Sequence, residues 1–130
     1  MKLRLQGSTL RLRLRRSDIE TLAVSGEVRD VVSFPQGKWL YSLVLDDAVT
    51  SPNAEMQSNG IRVRLPRQQG LEWCRSTQVA ISNTAVVPAI LVERDFVRTA
   101  VEETDDFDRF TNPRSGRKPP PAPPASTATN

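Results

Sequence analysis

The sequence predicts a β-rich α+β fold, an antiparallel sheet or half-open barrel built from hairpins with two short helices. Three observations lead there. Two runs that alternate leucine with cations flank Gly7-Ser8, a dipeptide suited to the mirror-image turns that match strand twist. A second turn signal, Asn59-Gly60, lies between two further short runs. The stretch from Val28 to Asp46 is rich in β-branched and alternating apolar residues and broken by Pro35-Gln36-Gly37.

Closing the first turn pairs Leu5 with Leu10, Arg4 with Arg11, Leu3 with Leu12 and Lys2 with Arg13. Leucines then share one face and cations the other. Like charges directly opposite in a sheet destabilise it by a few tenths to about 1 kcal/mol per pair, so this face calls for an anion. Ser17-Asp18-Ile19-Glu20 has capping-box spacing, and the helix it starts should bury Ile19, Leu22 and Ala23 and leave through Gly26. Val28–Phe34 and the strand after Gly37 form the central hairpin. Its apolar residues lie on both faces, which predicts cover from two sides. Closing a turn at Asn59-Gly60 sets Met56 opposite Val63, Gln57 opposite Arg62, Glu55 opposite Arg64 and Ala54 opposite Leu65. Here unlike charges meet. Pro66 can open a second helix that packs Leu71, Trp73 and Cys74, with Gly70 weakening it. Gln78–Ser82 and Ala89–Glu93 read as the last strands around a turn containing Pro88, and Phe96 as an anchor at the exit. No internal repeat is discernible.

Composition narrows the function classes. The 130 residues, 38% of them hydrophobic, suit one domain and a tail: a globular domain over 1–96, an acidic extension over 97–113 and a disordered proline-rich tail over 114–130. Cys74 is the lone cysteine and histidine is absent. That removes disulfides, Ser-His and Cys-His dyads and histidine-ligated metals, so no metal or cofactor is expected. No apolar run is long enough to span a membrane, which makes a cytoplasmic protein the default. The net charge of +3 conceals a segregation: residues 1–16 hold six cations and no acid, residues 93–108 hold seven acids and two cations, and residues 109–130 hold four cations and no acid.

Lys2-Leu3-Arg4-Leu5-Gln6-Gly7-Ser8-Thr9-Leu10-Arg11-Leu12-Arg13-Leu14, Ser17, Ile90-Leu91-Val92-Glu93-Arg94-Asp95-Phe96 and the acidic run closing on Asn112-Pro113 resemble a family of small uncharacterised bacterial proteins. The likeness covers residues 1 to about 113 and implies a bacterial cytoplasmic setting without implying an activity. Members of that family are similar in ending the acidic stretch on Phe-Pro-Asn-Pro, where this chain has Phe110-Thr111-Asn112-Pro113. A cysteine that follows their Asp-Phe pair is replaced here by Val97 or Arg98.

Four readings of the basic face, Lys2, Arg4, Arg11 and Arg13, follow from the residues. It is a solvated edge that discourages aggregation. Or it is neutralised internally by Glu93, Asp95, Glu102, Glu103, Asp105 and Asp106, arginine forks suiting bidentate carboxylate contacts. Third, it receives an external anion: a protein partner or ligand, with nucleic acid disfavoured because no aromatic platform interrupts the basic strands and Trp39, Tyr41, Phe34 and Trp73 belong in a core. Fourth, Glu93 and Asp95 share a strand face and with Asp105 or Asp106 could hold Mg²⁺, but no nucleophile or phosphate loop completes an enzyme site. Cys74 reads as a small buried hydrophobe. The polyproline tail reads as an extended spacer more than a ligand for SH3 or WW domains. The expectation is a non-catalytic binding or accessory protein that engages an acidic partner, or its own acidic segment, through the basic face.

Overall fold

Among the described residues four antiparallel hairpins build the fold, and they join in pairs through their second strands, which run parallel. The computed structural model describes residues 1–96. In chain order the elements are β1 (Lys2–Gln6), β2 (Thr9–Leu14), α1 (Arg16–Ser25), β3 (Glu27–Phe34), β4 (Gly37–Asp46), β5 (Asn53–Gln57), β6 (Gly60–Pro66), α2 (Arg67–Arg75), β7 (Ala80–Asn83) and β8 (Ala89–Arg94). One sheet has the order β1-β2-β8-β7 and the other β3-β4-β6-β5. The fold is thus β-rich α+β, with two separate mixed sheets in place of a half-open barrel.

The two orders are one order read through an approximate twofold. Exchanging β1, β2, α1, β3 and β4 for β5, β6, α2, β7 and β8 turns the first sheet into the second and keeps every pairing and direction. The correspondence holds by residue. Lys2 pairs with Arg13 as Asn53 pairs with Arg64, and Arg4 with Arg11 as Glu55 with Arg62. Isolated backbone bonds follow too: the Ala89 N–H donates to the Ser8 carbonyl as Leu40 does to Asn59, and Arg94 to Val79 as Leu45 to Gly26. A repeat is therefore present that the side chains conceal. Leu10-Arg11-Leu12-Arg13-Leu14 stands where Ile61-Arg62-Val63-Arg64-Leu65 stands, but Ile19 answers to Gly70 and Leu22 to Trp73.

Period-2 alternation decides what each sheet buries. Leu10, Leu12, Leu14, Ile81, Ile90 and Val92 of the first sheet meet Val28, Leu43, Leu45, Val63 and Leu65 of the second in one apolar core, each side chain contributing about 1.5–3 kcal/mol. The helices close one end of it. From α1 come Ile19 and Leu22, and from α2 comes Trp73, which is 1% exposed. Gly70 lets α2 approach, because a Cβ there would collide with Leu45 Cδ2.

Several expectations are corrected. Helix α1 begins earlier than the Ser17 box predicts: the N-cap is Arg15, and the Asp18 carboxylate accepts its backbone N–H at 2.8 Å, so Asp18 does the work expected of Glu20. Ala23 is exposed. The second hairpin turns on Ser58-Asn59, and Gly60 is already in β6, where a Cβ would strike the Leu40 backbone. The pairs are therefore Met56–Ile61, Glu55–Arg62, Ala54–Val63 and Asn53–Arg64. Close approach of β4, which no local pattern records, moves the register. Only the inner face of the central hairpin meets the core. Its far end projects beyond β6, leaving Phe34 53% exposed, and Phe96 is 58% exposed and anchors nothing.

Candidate functional site

The alternation that buries Leu10, Leu12 and Leu14 turns Arg11 and Arg13 to the other side of the sheet, and the β1 pairing sets Lys2 beside Arg13 and Arg4 beside Arg11. All four sequence-predicted cations share the outer face of the first sheet. Parallel pairing of β8 extends both rows. One reads Lys2, Arg13, Glu93, Ala80 and the next Arg4, Arg11, Leu91, Ser82.

Glu93 sits between the arginines. Its Oε1 lies 2.9 Å from Arg13 Nε, a hydrogen bond, and 3.4 Å from Arg11 Nε. Asp95, fixed by its backbone N–H to the Leu14 carbonyl at 2.9 Å, takes Lys2 Nζ at 3.1 Å across β2. Part of the expected internal neutralisation thus comes from Glu93 of β8 and from Asp95 just beyond it. Glu102, Glu103, Asp105 and Asp106 lie outside the described residues. Against four cations the described face holds two carboxylates. Arg4 is exposed and lies in no ion pair among the described residues.

The matching face of the second sheet is an internal control. Its rows read Asn53, Arg64, Val44, Glu27 and Glu55, Arg62, Ser42, Arg29. Arg64 reaches Asp46 at 3.8 Å and Glu55 at 3.9 Å, and its Nε donates to Asn53 Oδ1 at 3.2 Å. With Asp46 counted, three cations stand against three carboxylates there, although Arg62 and Arg29 lie in no ion pair among the described residues and Arg62 Nε is buried without a hydrogen-bond partner. The same scaffold is balanced on one side and carries surplus positive charge on the other, and the largest single difference is Arg4 in place of Glu55.

An anchor at the start of β1 holds this face in register. The Met1 ammonium, fully buried, pairs with Asp18 at 3.0 Å and Asp30 at 3.3 Å, and the Tyr41 hydroxyl donates to the Met1 carbonyl at 3.1 Å. Burial alone would raise the Asp18 carboxyl. The Arg15 N–H, the Met1 ammonium and the Arg15 charge outweigh it and hold the group below its usual range. For Tyr41, burial together with Asp30 and Asp18 raises the phenol.

Arg94 is a residue whose role the sequence conceals. Sitting among acids in the chain, it turns away from them to finish α2: Nη2 donates to the Trp73 and Ser76 carbonyls at 2.9 and 2.8 Å and Nε to Gln78 at 3.0 Å, with the guanidinium 4.9 Å from the Trp73 ring centroid. Cys74, half-buried, has its thiol pushed up mainly by burial. A shallow cavity of about 320 Å³ lies beside α2, lined by Asp47, Arg67, Gln68, Leu71, Glu72 and Arg75, away from the basic face. Among the described residues no three of Cys, Asp and Glu gather in a group that could hold a metal ion, and no helix is long and apolar enough to cross a membrane.

A protein-family model, that of a family of unknown function, matches residues 1–114. No curated protein and no solved structure matches the chain.

Proposed function

We propose a non-catalytic binding role for this chain, which belongs to that family of unknown function (DUF7009): the outer face of the first sheet receives an acidic segment of a protein partner. The observation that carries the reading is the contrast between the two faces, Arg4 opposite Arg11 where Glu55 stands opposite Arg62. A solvated sheet face has no need of unbalanced charge, and the second sheet is built without it. Arginine forks favour carboxylates.

Nucleic acid is the second reading, since phosphates would satisfy the same cations. It is disfavoured by the absence of aromatic side chains from the rows just given. A catalytic role for Glu93 and Asp95 is disfavoured by their contacts, which are with Arg11, Arg13 and Lys2.

Binding of labelled polyglutamate to the full-length chain, followed by fluorescence anisotropy, tests the proposal. Affinity should fall as salt rises and fall again in Arg4→Gln/Arg11→Gln. Equal binding by the wild type and this double variant would sink it. The chain's own acidic run is the competing occupant: replacing Glu102, Glu103, Asp105 and Asp106 with their amides should then tighten binding of the added polymer.

A further inference from the structure

Strand β1 is an edge. In the first sheet β2 pairs with one side of it, and among the described residues no strand lies on the other, which leaves a row of backbone donors and acceptors free to accept one more strand. Lys2 and Arg4 project from this edge strand on the outer face, about 7 Å apart as alternate residues. Leu5 projects on the opposite face and is 56% exposed. The edge thus displays cations above and an apolar side chain below.

We propose that β1 is the docking edge for an extended partner segment that alternates acidic and apolar residues and adds to the first sheet as a further strand. This inference rests on the anion-binding reading above and names the occupant and its backbone geometry. Charge complementarity fixes the choice of occupant. In an added strand, every second side chain lies on one face with the spacing of Lys2 and Arg4, so carboxylates at alternate positions meet both cations while the intervening apolar residues fall on the Leu5 side. The equivalent edge, β5, would refuse the same segment. It carries Asn53 and Glu55 where β1 carries Lys2 and Arg4, so the twofold offers two edges and only one is complementary.

Two capped octapeptides of identical composition, one alternating Asp and Val and one with four Asp followed by four Val, distinguish strand addition from mere charge attraction. An oligothymidylate is the third probe. Each is added to the full-length chain, with binding read by anisotropy and amide exchange read along β1. The expected result is that the alternating peptide binds about tenfold or more tighter than the block peptide and slows exchange of β1 amides. Arg4→Glu abolishes this binding and Glu55→Gln, which gives β5 no cation, leaves it unchanged; Arg4→Gln, which adds no new charge, weakens it. If both peptides bind equally and both are lost in Arg4→Glu, the anion-binding face stands and the added strand is overturned. If neither peptide binds, or the oligonucleotide binds more tightly than both, the anion-binding reading for proteins falls with it.

Discussion

Arg4 and Glu55 hold the same place in the two halves of the fold, one opposite Arg11 and the other opposite Arg62. Equivalent registers thus set like charges opposite each other in one hairpin and unlike charges in the other, where the Glu55 carboxylate itself reaches the neighbouring Arg64 at 3.9 Å. Arg4→Glu should therefore stabilise the protein by a few tenths to about 1 kcal/mol at low salt, an effect that shrinks as salt screens the exposed pair, while Glu55→Arg should do the reverse. Urea midpoints at low and high ionic strength check both. A stability gain coupled to loss of peptide binding would show repulsion retained for function.

Glycine to alanine should destabilise at two places where composition alone suggests otherwise. At Gly60, with φ +157, a Cβ would meet the backbone of Leu40, which cannot move without breaking the parallel β4–β6 ladder, and the cost should be about 3 kcal/mol. Gly70 lies inside α2, where alanine would ordinarily gain about 1 kcal/mol. Here the methyl would push on Leu45, and a net loss of about 1–3 kcal/mol is expected. Urea unfolding of both variants gives the sign.

Acid should weaken the anchor of β1. Because the Asp18 carboxyl titrates below its usual range when folded, its contribution is fully present above about pH 4 and is lost as pH falls through the lowered value. Asp18→Asn should cost about 1–3 kcal/mol at neutral pH, with the gap to wild type closing below about pH 4. Stability measured against pH for both proteins tests the crossover, and a gap that stays constant down to pH 2 would contradict it.

Arg94→Lys should cost about 2 kcal/mol although charge is kept. An ammonium cannot reach the Trp73, Ser76 and Gln78 carbonyls together or stack on the Trp73 ring as the planar fork does. Thermal unfolding and the exchange of amides at the end of α2 should both register the loss.

Cys74 should react slowly. Burial raises its thiol, so little thiolate forms near neutral pH, and modification by a disulfide reagent should speed up in step with unfolding by urea. Rapid labelling of the folded chain would contradict this.

The first hairpin was legible because each of its determinants is local: strict alternation assigns the faces, and a two-residue turn assigns the register, so Lys2, Arg4, Arg11 and Arg13 followed from the residue order. Gly26 was legible for the same reason, its φ of +78 being a terminal conformation that glycine adopts freely. The turn before β6 departs from its local signal because Gly60 serves a distant strand, β4 at Leu40, and that backbone approach leaves no mark on neighbouring residues. Glu93 was identifiable as a counter-charge, yet its place between Arg11 and Arg13 depends on a parallel pairing between β2 and β8 that joins the two ends of the domain. The residue order conceals the twofold because packing requires only that facing volumes sum to fill the core. Leu22 can answer to Trp73 and Ile19 to Gly70 while the backbones match. Alternation and turns, acting over a few residues, determined the hairpins and their faces; how the hairpins join, and which charges then meet, was decided by burial, which acts between residues that the chain order keeps far apart.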